Sequence, residues 1–451
     1  MRSLHLDRNL PVVTLALLAL AAALLLIRPS QSPATLVGRT LGQPQTIDAP
    51  QLSSRTASQI QTLQSRIRRN PGHVDSYALL GHAYLQQARE TGDPSYYTKA
   101  ESVFDTALKR DPQHVEALIG KGSLALARHD FRAALKLGEQ ARSINPSVPR
   151  IYGVIGDAQI ELGQYDAAVA TIQQMVDLRP DLSSYSRVSY LRELYGDRQG
   201  AIDAMQQAVT AGGPTAENTQ WVRVQLGHLY FNEGDLKAAE QQYREALARL
   251  PEYAHAQAGL ARVRAAQGRH AEAIELYSAA TQRMPLPEYL IALGDVYAIE
   301  GDQQRAQQQY DLVLTIDKLL GDNGVNTDLE LALFCADHAI ELPQALAKAR
   351  AAYAARPSIH AADSLAWTLY TSGSYVEAQR YAAEALRLGT DDPLKLFHAG
   401  IIAQALGHND QARDYLQRAV DLNPHFSLLY SDRASTTLAT LGGNVPAAGR
   451  P

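Results

Sequence analysis

One short segment, from Leu226 to Pro251, sets the pattern that most of this chain repeats. It reads LGHLYFNEGDLKAAEQQYREALARLP, and its small and aromatic residues recur with helical spacing on both sides of Gly234. Glycine at that point permits the left-handed residue that ends a helix, and Pro251 stops the second helix because it has no N–H to donate. The segment therefore predicts two short amphipathic helices, and neither can bury its apolar face without neighbours.

Ten copies of this skeleton follow one another along the chain. Their predicted starts are residues 74, 115, 149, 182, 220, 254, 287, 326, 359 and 393, so successive starts lie 33 to 41 residues apart. The longer intervals come from extra residues at 91–97, 211–214 and 321–324. A repeat of this length indicates a solenoid, in which each unit is stabilised by packing against the next.

The period and the residue pattern together resemble the tetratricopeptide repeat, a helix–turn–helix unit of about 34 residues. The resemblance covers residues 74–425, although the usual first-helix tryptophan is missing from most copies and the copy starting at residue 182 keeps little of the pattern. It implies an all-α fold: a right-handed superhelical solenoid of about ten helix–turn–helix repeats, preceded by one N-terminal hydrophobic helix.

The composition argues against several kinds of site. The chain has 42 basic and 47 acidic residues, a net charge of −5, whereas a nucleic-acid-binding surface needs a basic stripe. The single cysteine, Cys335, excludes a disulfide framework and a cysteine-based zinc site, and its apolar surroundings predict a buried thiol. We find no phosphate-loop, dinucleotide-binding, zinc-protease or nucleophile-elbow motif, so we expect no enzyme activity, no cofactor and no metal.

The first 57 residues are predicted to lie outside the repeat array. Residues 1–10 form a polar tail, residues 11–27 are apolar and uncharged, and residues 28–57 form a linker rich in proline and serine. The apolar run is at the short end of what spans a bilayer, and its length also suits the core of a cleaved signal peptide. We expect an uncleaved, single-pass inner-membrane anchor with the repeats facing the periplasm. The alternative is a cleaved protein that is periplasmic or secreted.

Capping helices are predicted at both ends of the array. Residues 58–73 carry apolar side chains on one face and would cover the first repeat. The repeats themselves occupy residues 74–425, and residues 426–441 would form the second capping helix. The last segment, residues 442–451, is predicted to be disordered.

The resemblance also implies where a partner would bind. In tetratricopeptide proteins the first helix of each repeat lines a concave groove through its second, fifth, ninth, twelfth and thirteenth residues. The partner-binding candidates that we select from these positions are Trp221, His228, Phe231, Asn232, Asp295, Asp337, His360, Trp367 and Tyr370. Such a mixture suits an extended peptide or a helix, because aromatic residues dominate binding energy and polar residues fix register. The alternative for either tryptophan is packing against the next repeat.

These expectations describe a non-enzymatic, membrane-anchored scaffold that binds a protein or peptide in its groove and serves the assembly or maturation of an envelope complex. The alternative is an accessory factor that handles polysaccharide or lipid, because aromatic side chains stack on sugars as well as on peptides. Nucleic acid is not an expected partner, and the oligomeric state stays open.

Overall fold

Twenty-two α-helices make up the part of the chain that the structure, a computed structural model, describes. This part comprises residues 49–445, with side chains from residue 55 onward. The helices are α1 (Ala49–Arg69), α2 (Val74–Thr91), α3 (Ser95–Arg110), α4 (Val115–Ala127), α5 (Phe131–Ile144), α6 (Pro149–Glu161), α7 (Tyr165–Leu178), α8 (Leu182–Tyr195), α9 (Arg198–Ala211), α10 (Glu217–Asn232), α11 (Leu236–Arg249), α12 (Ala254–Ala266), α13 (His270–Arg283), α14 (Pro287–Ile299), α15 (Gln303–Asp322), α16 (Asp328–Asp337), α17 (Leu342–Ala355), α18 (Ile359–Thr371), α19 (Tyr375–Ala385), α20 (Pro393–Ala405), α21 (Asn409–Leu422) and α22 (Ser431–Thr440). The all-α prediction is confirmed.

The helices from α2 to α21 form ten consecutive pairs, which we number repeats 1 to 10. Each helix packs most closely on the other member of its pair and then on the next pair, and this paired packing is typical of a tetratricopeptide solenoid. In eight repeats the first helix begins at the residue predicted from the sequence; α10 begins at Glu217 instead of 220, and α16 at Asp328 instead of 326. We call the connection within a pair its turn, and the connection between pairs a loop.

Close contact between neighbouring first helices explains the glycines inside them. A β-carbon on Gly227 of α10 would lie 2.5 Å from the ring of Tyr243, and one on Gly259 of α12 would lie 2.4 Å from the same ring. Tyr243, on α11, is fully buried between these two helices. The small residues of the repeat are therefore the positions at which an aromatic ring from the second helix reaches the backbone.

The N-terminal boundary differs from the prediction. Helix α1 begins at Ala49, so residues 49–57, which the sequence analysis assigned to the linker, are helical. Pro50 does not prevent this, because the N–H groups in the first turn of a helix have no partner within the helix. The predicted tail (1–10), anchor (11–27) and most of the linker lie outside the described residues, as do residues 446–451. Between residues 49 and 445, no helix is long and apolar enough to cross a membrane.

The array coils so tightly that repeats six apart touch. The backbone N–H of Asn326, in the loop before repeat 8, donates a hydrogen bond to the Arg128 carbonyl in the turn of repeat 2, at 3.0 Å. The same offset joins repeats 3 and 9, where the Ile359 N–H donates to the Tyr165 hydroxyl at 2.8 Å. We call this line of contacts, between the turns of repeats 1–5 and the loops that precede repeat 7 and later units, the seam.

The seam continues through repeats 4 and 5. The Thr390 hydroxyl donates to the Leu194 carbonyl, and the Asn423 side-chain amide donates to the Phe231 carbonyl, each at 2.7 Å. Thr390 and Asn423 are buried, whereas loop residues of the earlier repeats are largely exposed. One superhelical turn therefore contains six repeats, and successive turns lie in contact along the seam.

Candidate functional site

The nine predicted partner-binding residues all belong to first helices, but the structure distributes them over three places. Trp221, His228 and Asn232 line one internal cavity. Phe231 and His360 lie at the seam. Asp295, Asp337, Trp367 and Tyr370 belong to hydrogen-bonded clusters nearer the C-terminal end of the array.

The cavity has a volume of about 60 Å³ and lies between α6, α8 and α10. Its polar and charged lining comprises Asp157, Glu161, Ser186, Arg187, Tyr190, Glu193, Gln225, His228 and Asn232, beside the indole of Trp221. Pockets for small organic ligands usually measure about 300–1,000 Å³. In this conformation the cavity can therefore hold water or part of one side chain, but not a metabolite.

A buried ion pair fixes one wall of the cavity. Arg187 donates from Nε and Nη2 to the two carboxylate oxygens of Asp157, at 2.8 and 2.7 Å. Both residues are almost fully buried, and burial raises the pKa of Asp157 although the guanidinium opposes the shift. Because the contact is bidentate, it sets the position of α8 against α6 as well as neutralising the charge.

Two other carboxyl groups in the cavity titrate near neutral pH. Burial raises the pKa of Glu161 to about 7, although Arg356 lies 3.5 Å away across the seam. Burial, together with the negative charge of Asp392, raises the pKa of Glu193 to about 8. The Asn232 amide donates to Glu193 at 3.5 Å. The charge of the cavity wall therefore depends on pH between about 7 and 8.

The histidine at the wall, His228, and the adjoining seam histidine, His360, are both neutral. His228 Nδ1 lies 2.8 Å from the Tyr243 hydroxyl, and burial, assisted by the positive charge of Arg262, lowers the pKa of His228 to about 3. His360 Nε2 lies 3.0 Å from the Tyr190 hydroxyl, and burial lowers the pKa of His360 as well. The Tyr190–His360 contact joins repeat 4 to repeat 9, so it links the cavity wall to the seam.

Trp367 packs in the interior of the C-terminal repeats. Only 1% of its surface is exposed, and its ring stacks on His398 with centroids 4.2 Å apart and on Tyr370 at 4.9 Å. Its indole N–H donates to Asp337 at 2.8 Å, and Asp337 also accepts from the Tyr430 hydroxyl at 2.7 Å. These residues connect repeats 8, 9 and 10 with the segment before α22, and they give a partner little surface in this conformation.

Asp295 and His338 form a separate contact between repeats 7 and 8. His338 Nε2 lies 2.8 Å from Asp295, which also accepts from the Tyr310 hydroxyl at 2.9 Å. Nearby Cys335 is buried, as predicted, and burial raises the pKa of its thiol to about 11. Among the residues that the structure describes, no three histidine, cysteine or carboxylate side chains are grouped to hold a metal ion.

Sequence reasoning did not select Arg187 or Glu193, which lie at the centre of the cavity. Glu193 is the twelfth residue of the repeat that starts at residue 182, so the rule used for the other repeats would have found it. That repeat keeps little of the pattern, so the sequence alone leaves its register open. Arg187 is the sixth residue of its repeat, a position outside the rule, and only the geometry of α6 and α8 reveals its role.

The stacked pairs and their inward-facing first helices define a helical-repeat protein of the protein-binding kind. Family models described as tetratricopeptide repeat match residues 95–149 and 224–287, residues 125–193, and residues 396–426. The chain is a tetratricopeptide repeat protein. Such repeats are typically non-enzymatic scaffolds that bind protein partners.

The sequence identity between this chain and individual proteins is low. The chain is 26% identical over 226 residues, half its length, to cellulose synthase 1 operon protein C of Komagataeibacter xylinus. It is 25% identical over 151 residues, 30% of its length, to tetratricopeptide repeat protein 1 of Schizosaccharomyces pombe. In both cases it spans only 14% of the relative. A solved structure, that of a thermophilic tetratricopeptide repeat protein from Thermus thermophilus, is 24% identical with a TM-score of 0.35, covering 38% of this chain and 91% of that one.

Proposed function

We propose that this protein is a membrane-tethered scaffold that binds a polypeptide segment of a partner against the wall formed by α6, α8 and α10. The observation that carries the proposal is the cavity itself, because three of the predicted groove residues, Trp221, His228 and Asn232, converge on it. The partner would help to build or mature an envelope complex, and the protein contributes positioning rather than chemistry.

The chemistry of the wall favours a partner segment with a positively charged or hydrogen-bond-donating side chain. Arg187 already neutralises Asp157, and Arg356 lies beside Glu161. Glu193 accepts one long hydrogen bond from Asn232, and the charge of Lys395 only partly offsets the rise of its pKa on burial. A lysine or arginine next to Glu193 would favour its ionised form, because an opposite charge at short range lowers the pKa of a carboxyl group. The indole of Trp221 would cover the aliphatic part of such a side chain.

The membrane and envelope setting rests on two further observations. Residues 11–27 form an uncharged apolar run that suits an anchor, and residues 28–48 are long enough to separate it from α1. The match to a protein named for a cellulose synthase operon supports a role beside a polysaccharide-synthesis complex. Fractionation tests the tether: an intact chain in the membrane fraction is expected, and a soluble chain shortened near residue 31 would contradict it.

Photocrosslinking in intact cells tests the binding wall. A photoreactive phenylalanine analogue at Tyr190 places the probe in the cavity, and the same analogue at Tyr375 places it on an exposed turn of repeat 9 as a matched control. We expect a discrete, protease-sensitive adduct at position 190 that position 375 does not give. Failure of position 190 to crosslink any polypeptide, or the same adducts from both positions, would refute the proposal.

A polysaccharide ligand is the second candidate, and the cellulose synthase operon relative is the observation that favours it. The crosslinking experiment separates the two. An adduct at Tyr190 that survives protease but is removed by glycoside hydrolases would indicate a glycan at the wall instead of a polypeptide.

A further inference from the structure

One buried guanidinium binds carboxylates from both sides of the seam. Arg356, in the loop before repeat 9, donates from Nη2 to the two carboxylate oxygens of Glu330 in α16, at 3.0 and 3.3 Å. Its Nη1 lies 3.5 Å from the carboxylate of Glu161, at the end of α6 in repeat 3. Arg356 and Glu161 are only 6% and 4% exposed. We call these three residues the seam cluster, and it joins repeats 8 and 9 to repeat 3.

The seam cluster contains one guanidinium for two carboxyl groups. Glu330 receives the shorter contact, through two oxygens, and although burial opposes the shift, the charge of Arg356 lowers the pKa of Glu330. Burial raises the pKa of Glu161 to about 7, and Arg356 only partly offsets this rise. A buried carboxylate without a full counter-charge is costly, so the closed seam favours the protonated form of Glu161.

His129, in the turn of repeat 2, does not supply the second positive charge. Its Nδ1 lies 2.6 Å from the Asn326 carbonyl oxygen and 3.9 Å from the carboxylate of Glu330. The contact with a carbonyl oxygen needs a proton on Nδ1, which the neutral ring can provide. Burial lowers the pKa of His129, and the charge of Arg356 adds to this shift although Glu330 opposes it. Near neutral pH the imidazole is therefore uncharged.

The groups packed around the seam cluster do not supply that charge either. From α6, α7, α8, α10 and α16 to α19, the titratable and charged groups that face it are Asp157, Tyr165, Arg187, Tyr190, Glu193, His228, Asp328, Lys348, His360 and Arg387. Arg187 and Lys348 are each paired with an aspartate, and Arg387 is exposed to water. Burial lowers the pKa of the two histidines and raises that of the two tyrosines, so both kinds stay uncharged. A proton on Glu161 is therefore what balances the seam cluster.

We propose that loss of the Glu161 proton opens the seam, so that the superhelix is closed at acidic pH and loosens as the pH rises to neutrality and above. When the superhelical turns separate, Glu161 leaves Arg356, meets water and regains its ordinary pKa of 4.5. The closed form therefore binds the proton more tightly than the open form. The contribution of that proton to closure is complete below about pH 4.5 and is lost as the pH rises through about 7. This switch belongs to the chain alone and operates without a partner.

Hydrogen exchange of the Ile359 amide, in the full-length chain in one mild detergent, measures the opening. This N–H donates to the Tyr165 hydroxyl across the seam, so it exchanges when the seam opens. Protection factors correct for the intrinsic pH dependence of exchange. With the pKa of Glu161 at about 7 in the closed form and 4.5 in the open form, protection of Ile359 should fall about thirtyfold from about pH 5.5 to about pH 8.5. Leu369, buried in the same helix, should not show that fall.

Three variants identify the titrating group. Glu161→Gln has no proton to release in this range and should keep Ile359 protected throughout. Glu193→Gln removes the other carboxyl group of the cavity that titrates near neutral pH, and it should leave the fall in protection unchanged. Glu330→Gln leaves Arg356 to Glu161 alone, which lowers the pKa of Glu161, so the fall should be smaller and should end at lower pH.

Circular dichroism confirms that each variant is folded. Constant protection of Ile359 in the wild type, or an equal fall at Leu369, would overturn the proposal. So would a Glu161→Gln protein that loses protection like the wild type, a Glu193→Gln protein that loses none, or a larger fall in Glu330→Gln.

Discussion

Replacing Gly163 by alanine tests how tightly the seam is packed. Gly163 lies in the turn of repeat 3 with φ +71, and a β-carbon there would lie 2.4 Å from the carbonyl oxygen of Pro357, before repeat 9. Gly268 occupies the equivalent place in repeat 6 with the same φ of +71, but a β-carbon there would meet nothing within 4 Å. The two substitutions therefore share their backbone strain and differ in the seam contact.

The expected losses of unfolding free energy follow from these distances. Alanine in the left-handed region costs about 1–2 kcal/mol at either position. At Gly163 the backbone of repeat 9 must also move, and overpacking of this kind adds about 1–3 kcal/mol. Gly234→Ala should fall between them, because its β-carbon would lie 3.2 Å from the Leu422 carbonyl oxygen. The order of destabilisation should be Gly163, then Gly234, then Gly268.

Denaturant unfolding of the three variants measures the loss of unfolding free energy. Hydrogen exchange shows which part of the chain is destabilised. In Gly163→Ala the Ile359 amide, which donates to the Tyr165 hydroxyl across the seam, should exchange faster than in the wild type. In Gly268→Ala its exchange should not change. Equal losses of unfolding free energy at positions 163 and 268, with equal protection of Ile359, would show that the superhelical turns do not touch in solution.

Three other predictions concern side chains buried in the interior of the solenoid. Trp367→Ala removes a ring that is 1% exposed and should cost about 3–5 kcal/mol in an unfolding titration, so a loss below about 1 kcal/mol would contradict its place in the core. Arg187→Ala leaves Asp157 buried without its bidentate partner and should cost about 3–5 kcal/mol, whereas replacing both residues by apolar ones should cost less. The pKa of Glu193 is raised from 4.5 to about 8 in the folded protein, so the folded state binds the proton more tightly than the unfolded chain. The contribution of this group to stability should therefore fall as pH rises from about 4.5 to about 8. Glu193→Gln should reduce that slope, and an unchanged slope would refute the assignment.

Local structure could be predicted from the sequence because each repeat carries its own signals. Glycine at the turn, proline after the second helix, and small residues opposite an aromatic ring all act within one unit, as Gly227 and Tyr243 show. Gly163 and Gly268 carry the same turn signal in the sequence, yet only Gly163 lies on the seam. The difference comes from a small rotation per repeat that accumulates over six repeats, and no single unit encodes it.

The candidate site also combines features that one repeat encodes with features that depend on how separate repeats pack. Periodicity placed Trp221, His228 and Asn232 on first helices correctly, because position along a helix fixes which face a residue occupies. It could not show that Arg187 would reach Asp157, since that contact depends on how α8 is placed against α6. Nor could it show that residues of distant loops, such as Thr390, would cover the turns of earlier repeats.

The seam also sets a condition on the proposed binding of a partner. Separating the superhelical turns breaks at least the four hydrogen bonds made by Asn326, Ile359, Thr390 and Asn423, which at about 1 kcal/mol each set a lower bound of about 4 kcal/mol. If the partner segment needs that separation to reach the cavity, its apparent affinity is lowered at least about a thousandfold relative to an open wall. Gly163→Ala, which loosens the seam without touching the cavity, should then bind the crosslinked partner more tightly than Gly268→Ala, although it is the less stable protein. Equal affinities in a binding titration of the two variants would mean that the partner reaches α6, α8 and α10 along the axis of the superhelix, with the seam intact.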